Sequence, residues 1–143
     1  MSKIAIVYWS GTGNTESMAD AVEAGSKASG AEVIRFSASE FNAEKAAEFD
    51  AIAFGCPAMG AEVLEESEFD PMFADLEQKS VLEGKKIGLF GSYGWGDGEW
   101  MRNWEERSKQ AGAILAADGV ICNESPDDTA NEACKALGAA LSA

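Results

Sequence analysis

The chain has 143 residues, with 11 Lys and Arg against 25 Asp and Glu, a formal net charge of −14. That length suits one compact domain able to bury a core without disulfides or a structural metal, and the charge repels nucleic-acid phosphates and anionic membrane surfaces. Histidine is absent, which excludes Ser-His-Asp and Cys-His mechanisms and every His-ligated metal centre.

Short apolar runs alternate with amphipathic segments along the chain. Residues 4–9 are almost continuously apolar, as in a strand buried on both faces. A helix is predicted over 14–29, with Met18, Ala21, Val22 and Gly25 on one face and Gly30 as its stop. A strand over 32–37, a short helix over 43–48 and a buried strand over 51–55 follow. Pro71 suits the first turn of a helix reaching Leu76. The fourth strand is expected at 86–90, then a helix carrying Trp100, Met101, Trp104 and Arg107. A fifth strand over 113–122 is interrupted near Asp118-Gly119, and a helix over 127–141 ends the chain. Five strands alternating with helices predict a single α/β domain over 1–143, a parallel sheet with helices on both faces.

The run at 4–9 is too short for a signal-peptide core, and none approaches the ~20 residues of a membrane span, so a cytoplasmic protein is expected. Cys56, Cys122 and Cys134 are odd in number and lack CxxC spacing, which suits a reducing compartment. Small buried hydrophobe is the favoured role for all three, with a reactive thiol at Cys56 as the alternative. The acidity either attracts a partner with a basic patch or simply maintains solubility; charge alone does not separate these.

In a doubly wound sheet, ligands bind at the carboxyl ends of the strands, which directs attention to three loops. After the first strand, Ser10-Gly11-Thr12-Gly13-Asn14-Thr15 offers two glycines and four polar side chains at a helix start, a pattern that suits a phosphate. It lacks the Lys of a P-loop and the spacing of a dinucleotide fingerprint. After the third strand, Cys56-Pro57-Ala58-Met59-Gly60-Ala61-Glu62 precedes Glu65, Glu66, Glu68 and Asp70. There Met59 either lies against a planar ligand or plugs the core. After the fourth, Ser92-Tyr93-Gly94-Trp95-Gly96-Asp97-Gly98 sets Trp95 among glycines, an arrangement better suited to an indole against an aromatic ligand than to a packed core.

These loops resemble those of the short clostridial-type flavodoxins. The first is similar to that family's phosphate-binding loop. Ala58-Met59-Gly60 with Glu62-Val63-Leu64-Glu65-Glu66, and the run from Phe90 to Gly98, resemble its ring-binding loops. The resemblance implies a flavodoxin-like three-layer sandwich with sheet order 2-1-3-4-5 and a non-covalently bound FMN. It further implies a monomeric, low-potential one-electron carrier, not an enzyme, shuttling between semiquinone and hydroquinone among redox proteins with basic docking surfaces.

The implied cofactor residues are Trp9, Ser10, Gly11, Thr12, Gly13, Asn14 and Thr15 at the phosphate end. Pro57, Ala58, Met59, Gly60, Ala61 and Glu62 follow, then Ser92, Tyr93, Gly94, Trp95, Gly96, Asp97, Gly98 and Glu124. Met59 and Trp95 would sandwich the ring, Ser92 would assist at the phosphate, and Glu62 and Glu124 would accept hydrogen bonds from the pyrimidine edge. Glu62, Glu65 and Glu66 would oppose the anionic reduced flavin. In this family the peptide after the glycine flips on reduction, which here would turn the Gly60 carbonyl toward the ring; where relatives often carry Gly, Asn or Asp next, this chain has Ala61, and Pro57 is a second departure, removing a backbone donor.

Two rivals share the fold. An FMN-dependent reductase would need a basic site for a nicotinamide phosphate, yet between Gly55 and Gly98 the only cations are Lys79, Lys85 and Lys86. A phosphoacceptor domain would want acidic residues at the end of the first strand, which here reads Tyr8-Trp9-Ser10.

Overall fold

The computed structural model describes residues 2–11, 13–59, 63–94, 96 and 98–142. Strands β1 (Lys3–Tyr8), β2 (Glu32–Ser37), β3 (Ala51–Gly55) and β4 (Lys86–Tyr93) are joined by α1 (Asn14–Ala28), α2 (Ala43–Ala46) and α3 (Phe69–Gln78). After α4 (Glu99–Gln110), two short strands, β5 (Ile114–Leu115) and β6 (Val120–Asn123), lead to α5 (Asp128–Ser142). All pairings between these strands are parallel, in the order β2-β1-β3-β4, with β5 and β6 sharing the outer edge of β4.

Strand alternation sorts the apolar residues into two cores. Ala5, Val7, Ile52, Phe54, Ile87 and Leu89 face α3 and α4, meeting Phe69, Phe73 and Trp104. Ile4, Ile6, Ala51, Ala53 and Phe90 face α1 and α5, meeting Met18, Val22, Leu137 and Leu141. Because both faces are covered, β1 and β3 read as unbroken apolar runs.

Two details depart from the sequence reading. The expected break near Asp118-Gly119 is real, and it leaves two separate strands that pair with β4 at different heights. β4 itself continues past Phe90 to Tyr93, since β6 supplies a second partner from Phe90↔Val120 to Tyr93↔Asn123. Ser92 and Tyr93 therefore belong to the strand, and the loop starts after them.

The three cysteines are free and buried. Burial pushes the Cys56 and Cys134 thiols up to about 12 and Cys122 to about 11. Among the described residues, no helix is long and apolar enough to cross a membrane.

Candidate functional site

β2 lies on one side of β1, while β3 and β4 lie on the other, so the connections after β1 and β3 diverge and open a crevice at their carboxyl ends. Folds of this strand order are themselves standing examples of the rule that ligands bind there.

The loop after β1 leaves from between two strands, with the Trp9 amide donating to the Gly55 carbonyl at 3.0 Å. Ser10 Oγ accepts from the amides of Gly13 at 3.1 Å and Glu16 at 3.3 Å. Gly13, the residue before α1, has φ 93° and offers no capping side chain. The amides of Asn14 and Thr15 therefore have no acceptor among the described residues, as expected of an uncapped first turn. Beneath them, Thr15 Oγ1 and Ser92 Oγ lie 3.2 Å apart, both buried; one hydroxyl donates to the other and the second proton stays available.

The segment after β3 extends the ladder with β4: the Cys56 amide donates to Phe90 O and the Ala58 amide to Ser92 O, each at 3.0 Å. Pro57 falls between these two, so its missing N–H costs no bond to β4. A Cβ on Gly91 would stand 2.1 Å from the Cys56 carbonyl oxygen, and only glycine permits that approach. The same carbonyl accepts from Trp100 Nε1 at 3.2 Å. Met59 and Val63 then exchange both backbone hydrogen bonds, at 2.9 and 3.1 Å. Opposite, the Tyr93 carbonyl accepts from the Glu124 amide at 2.7 Å, and Glu124 has φ 58°.

These elements enclose a cleft of about 470 Å³. Of the residues predicted for the site, Trp9, Gly11, Asn14, Pro57, Ala58, Met59, Ser92, Tyr93, Gly94 and Glu124 line it. Ser10, Gly13 and Thr15 stand in or under the turn that forms its polar end, while Gly96 and Gly98, at φ 90° and 92°, lead into α4. Thr12, Gly60, Ala61, Glu62, Trp95 and Asp97 lie outside the described residues. Met59 belongs to neither core, which removes the reading of it as a core plug. Ser125 also lines the cleft and hydrogen-bonds Asn14 Oδ1 at 3.4 Å; its place beside Glu124 was the only sequence signal for it.

No Lys or Arg is among the described residues lining the cleft. Its polar end consists of uncharged hydroxyls, an amide side chain and free backbone N–H groups; its walls are apolar. One acidic residue is engaged elsewhere than expected. Glu65 is buried, and its carboxylate accepts four hydrogen bonds from Ser67, Glu68 and Phe69 instead of facing the cleft.

The model of the family described as Flavodoxin matches residues 6–138. The chain belongs to the flavodoxin family. It is 50% identical over 137 residues to the flavodoxin of Megasphaera elsdenii, covering 96% of each chain. With the flavodoxin of Clostridium beijerinckii it shares 46% over 133 residues, covering 93% of this chain and 94% of the other. The solution structure of the two-electron-reduced Megasphaera flavodoxin superposes with a TM-score of 0.89 over 97% of this chain and 98% of that one. An archaeal flavodoxin structure, 28% identical, gives 0.85 over 98% and 96%.

Flavodoxins are FMN-binding electron carriers that work with redox partner proteins and are not enzymes, and this chain is one of them. The donor set fits that cofactor. Uncharged N–H and O–H groups at a helix start suit a phosphomonoester, and the apolar walls suit a flat heteroaromatic ring.

Proposed function

We propose that the protein is a low-potential, one-electron carrier working through non-covalently bound FMN. The observation that carries this reading is the polarity of the cleft, with free amides and hydroxyls at one end and apolar walls at the other. Ser10, Thr12, Asn14 and Thr15 with neighbouring amides hold the phosphate, assisted by Ser92. Met59 and Trp95 flank the ring, and Glu62 and Glu124 accept from its pyrimidine edge. FMN supplies the electron chemistry; the protein's part is to orient it and tune its potentials.

Acidic side chains around the site disfavour added negative charge on the ring, which supports a low potential for the second electron. The net charge of −14 supports redox partners with basic docking faces. The protein is expected to act as a monomer in the cytoplasm. A reductive optical titration tests the assignment: purified protein should be yellow, or become so with stoichiometric FMN, and should accept its two electrons in resolved steps. Colourless protein that ignores added FMN would end this reading.

A further inference from the structure

Glu65 is held at every polar group it has. The residue is only 6% exposed in the folded chain. Oε1 accepts from the amides of Glu68 at 2.8 Å and Phe69 at 2.9 Å; Oε2 accepts from the amide of Ser67 at 2.9 Å and from its hydroxyl. A carboxylate has about four lone-pair sites, and all are used. Burial alone would lift the Glu65 carboxyl, but the hydrogen bonds from Ser67, Phe69 and Glu68 outweigh it and hold the group below its ordinary value. Its main chain is tied as firmly: the Glu65 amide donates to Cys56 Sγ at 3.3 Å, and its carbonyl accepts from the Asp70 amide at 2.8 Å.

Glu65 thus sits where two structures meet. On one side is the start of α3, whose first amides have no acceptor within the helix. On the other is the segment between Cys56 and Glu65, which carries Pro57, Ala58 and Met59 along the cleft. We propose that Glu65 is a positioning residue for the flavin. It acts by pinning the far end of that segment to α3 and to the Cys56 sulfur, so that the wall formed by Ala58 and Met59 is already in place when the cofactor arrives. The inference rests on reading the cleft as the FMN site.

The competing account is that Glu65 acts on the flavin through its charge alone. Glu66 separates the two, being the adjacent carboxylate but exposed. Glutamine at 65 offers one acceptor oxygen and an NH2, so its nitrogen must face amide donors. The pinned arrangement then becomes a fraction of the ensemble, and the apparent affinity falls by that fraction.

The test compares Glu65→Gln and Glu66→Gln, each shown to be folded by circular dichroism, for FMN dissociation constant, first one-electron potential and amide exchange. Glu65→Gln is expected to weaken FMN binding about fivefold or more, a loss on the scale of a helix cap. It should also move the first potential and speed exchange at Glu68 and Phe69, while Glu66→Gln, which removes an equal charge, reproduces neither the faster exchange nor a loss of affinity of that size. Equal effects from the two variants, or an unaltered Glu65→Gln, would overturn the proposal and leave the cofactor assignment standing. A parent protein that takes up no FMN would overturn both. Should Glu65→Gln fail to fold, Ser67→Ala removes a single donor and should produce the same pattern at about twofold amplitude; no change there would overturn the proposal too.

Discussion

Ser80 and Glu124 both hold φ at 58°, a left-handed conformation that costs most residues about 1–2 kcal/mol. They do so for different reasons. Ser80 follows α3 on the exposed surface, where the chain must turn back. Glu124 brings its backbone to Tyr93 and lines the cleft. Ser80→Gly is expected to stabilise the protein by about 0.5–1 kcal/mol, after the entropic penalty of glycine, and to leave FMN affinity unchanged. Glu124→Gly should give a comparable gain in the apoprotein yet weaken FMN binding by about tenfold, because a charged acceptor is lost. Paired denaturation and flavin titrations read both outcomes, and equal affinity in the two variants would remove Glu124 from the site. Ala61 lies outside the described residues. If the reduced form alone uses a type II turn centred on Gly60 and Ala61, Ala61 must take positive φ in that state. Ala61→Gly is therefore expected to raise the first one-electron potential by about 40 mV. An unchanged or lower potential would count against such a turn.

At the scale of elements, α1 and α5 meet backbone against backbone at two glycines. A Cβ on Gly25 would stand 2.0 Å from the Lys135 carbonyl oxygen, and one on Gly138 would stand 2.2 Å from that of Val22. Ser26 Oγ donates to the Gly138 carbonyl at 2.9 Å, closing the contact. Gly138→Ala should therefore separate the helices and cost about 1–3 kcal/mol in urea unfolding. Gly25 was visible in the sequence as part of the buried face of its helix, but nothing in one helix says how closely another approaches. The same limit explains Glu65. Its neighbours Glu66 and Glu68 are exposed, and a run of glutamates carries no mark showing which one turns inward. By contrast the strands and most helices were legible, because apolar runs and helical periodicity are local properties. The extension of β4 was not, since it depends on β6 and on Cys56, both distant in sequence.

For the molecule as a whole, the loops that form the cleft could be placed from strand–helix alternation and glycine content, and the walls from the resemblance to flavodoxins. Ser125 escaped because its partner Asn14 is 111 positions away. The charge of −14 governs encounters at longer range than any of these contacts. Association with a cationic redox partner is expected to slow by about tenfold or more between low and physiological salt, measured by stopped-flow. A rate indifferent to salt would mean that the acidity serves solubility alone.

The sealed thiols of Cys56, Cys122 and Cys134 have a further consequence. Held protonated inside the two hydrophobic layers, they stay shielded from alkylating agents and from peroxide while electrons pass in and out at the surface. The three thiols thereby become silent witnesses of intactness: iodoacetamide should modify none of them until the chain opens, and the pace at which Cys56 is trapped, against that of Cys122 and Cys134 in the other layer, would chart which layer parts first.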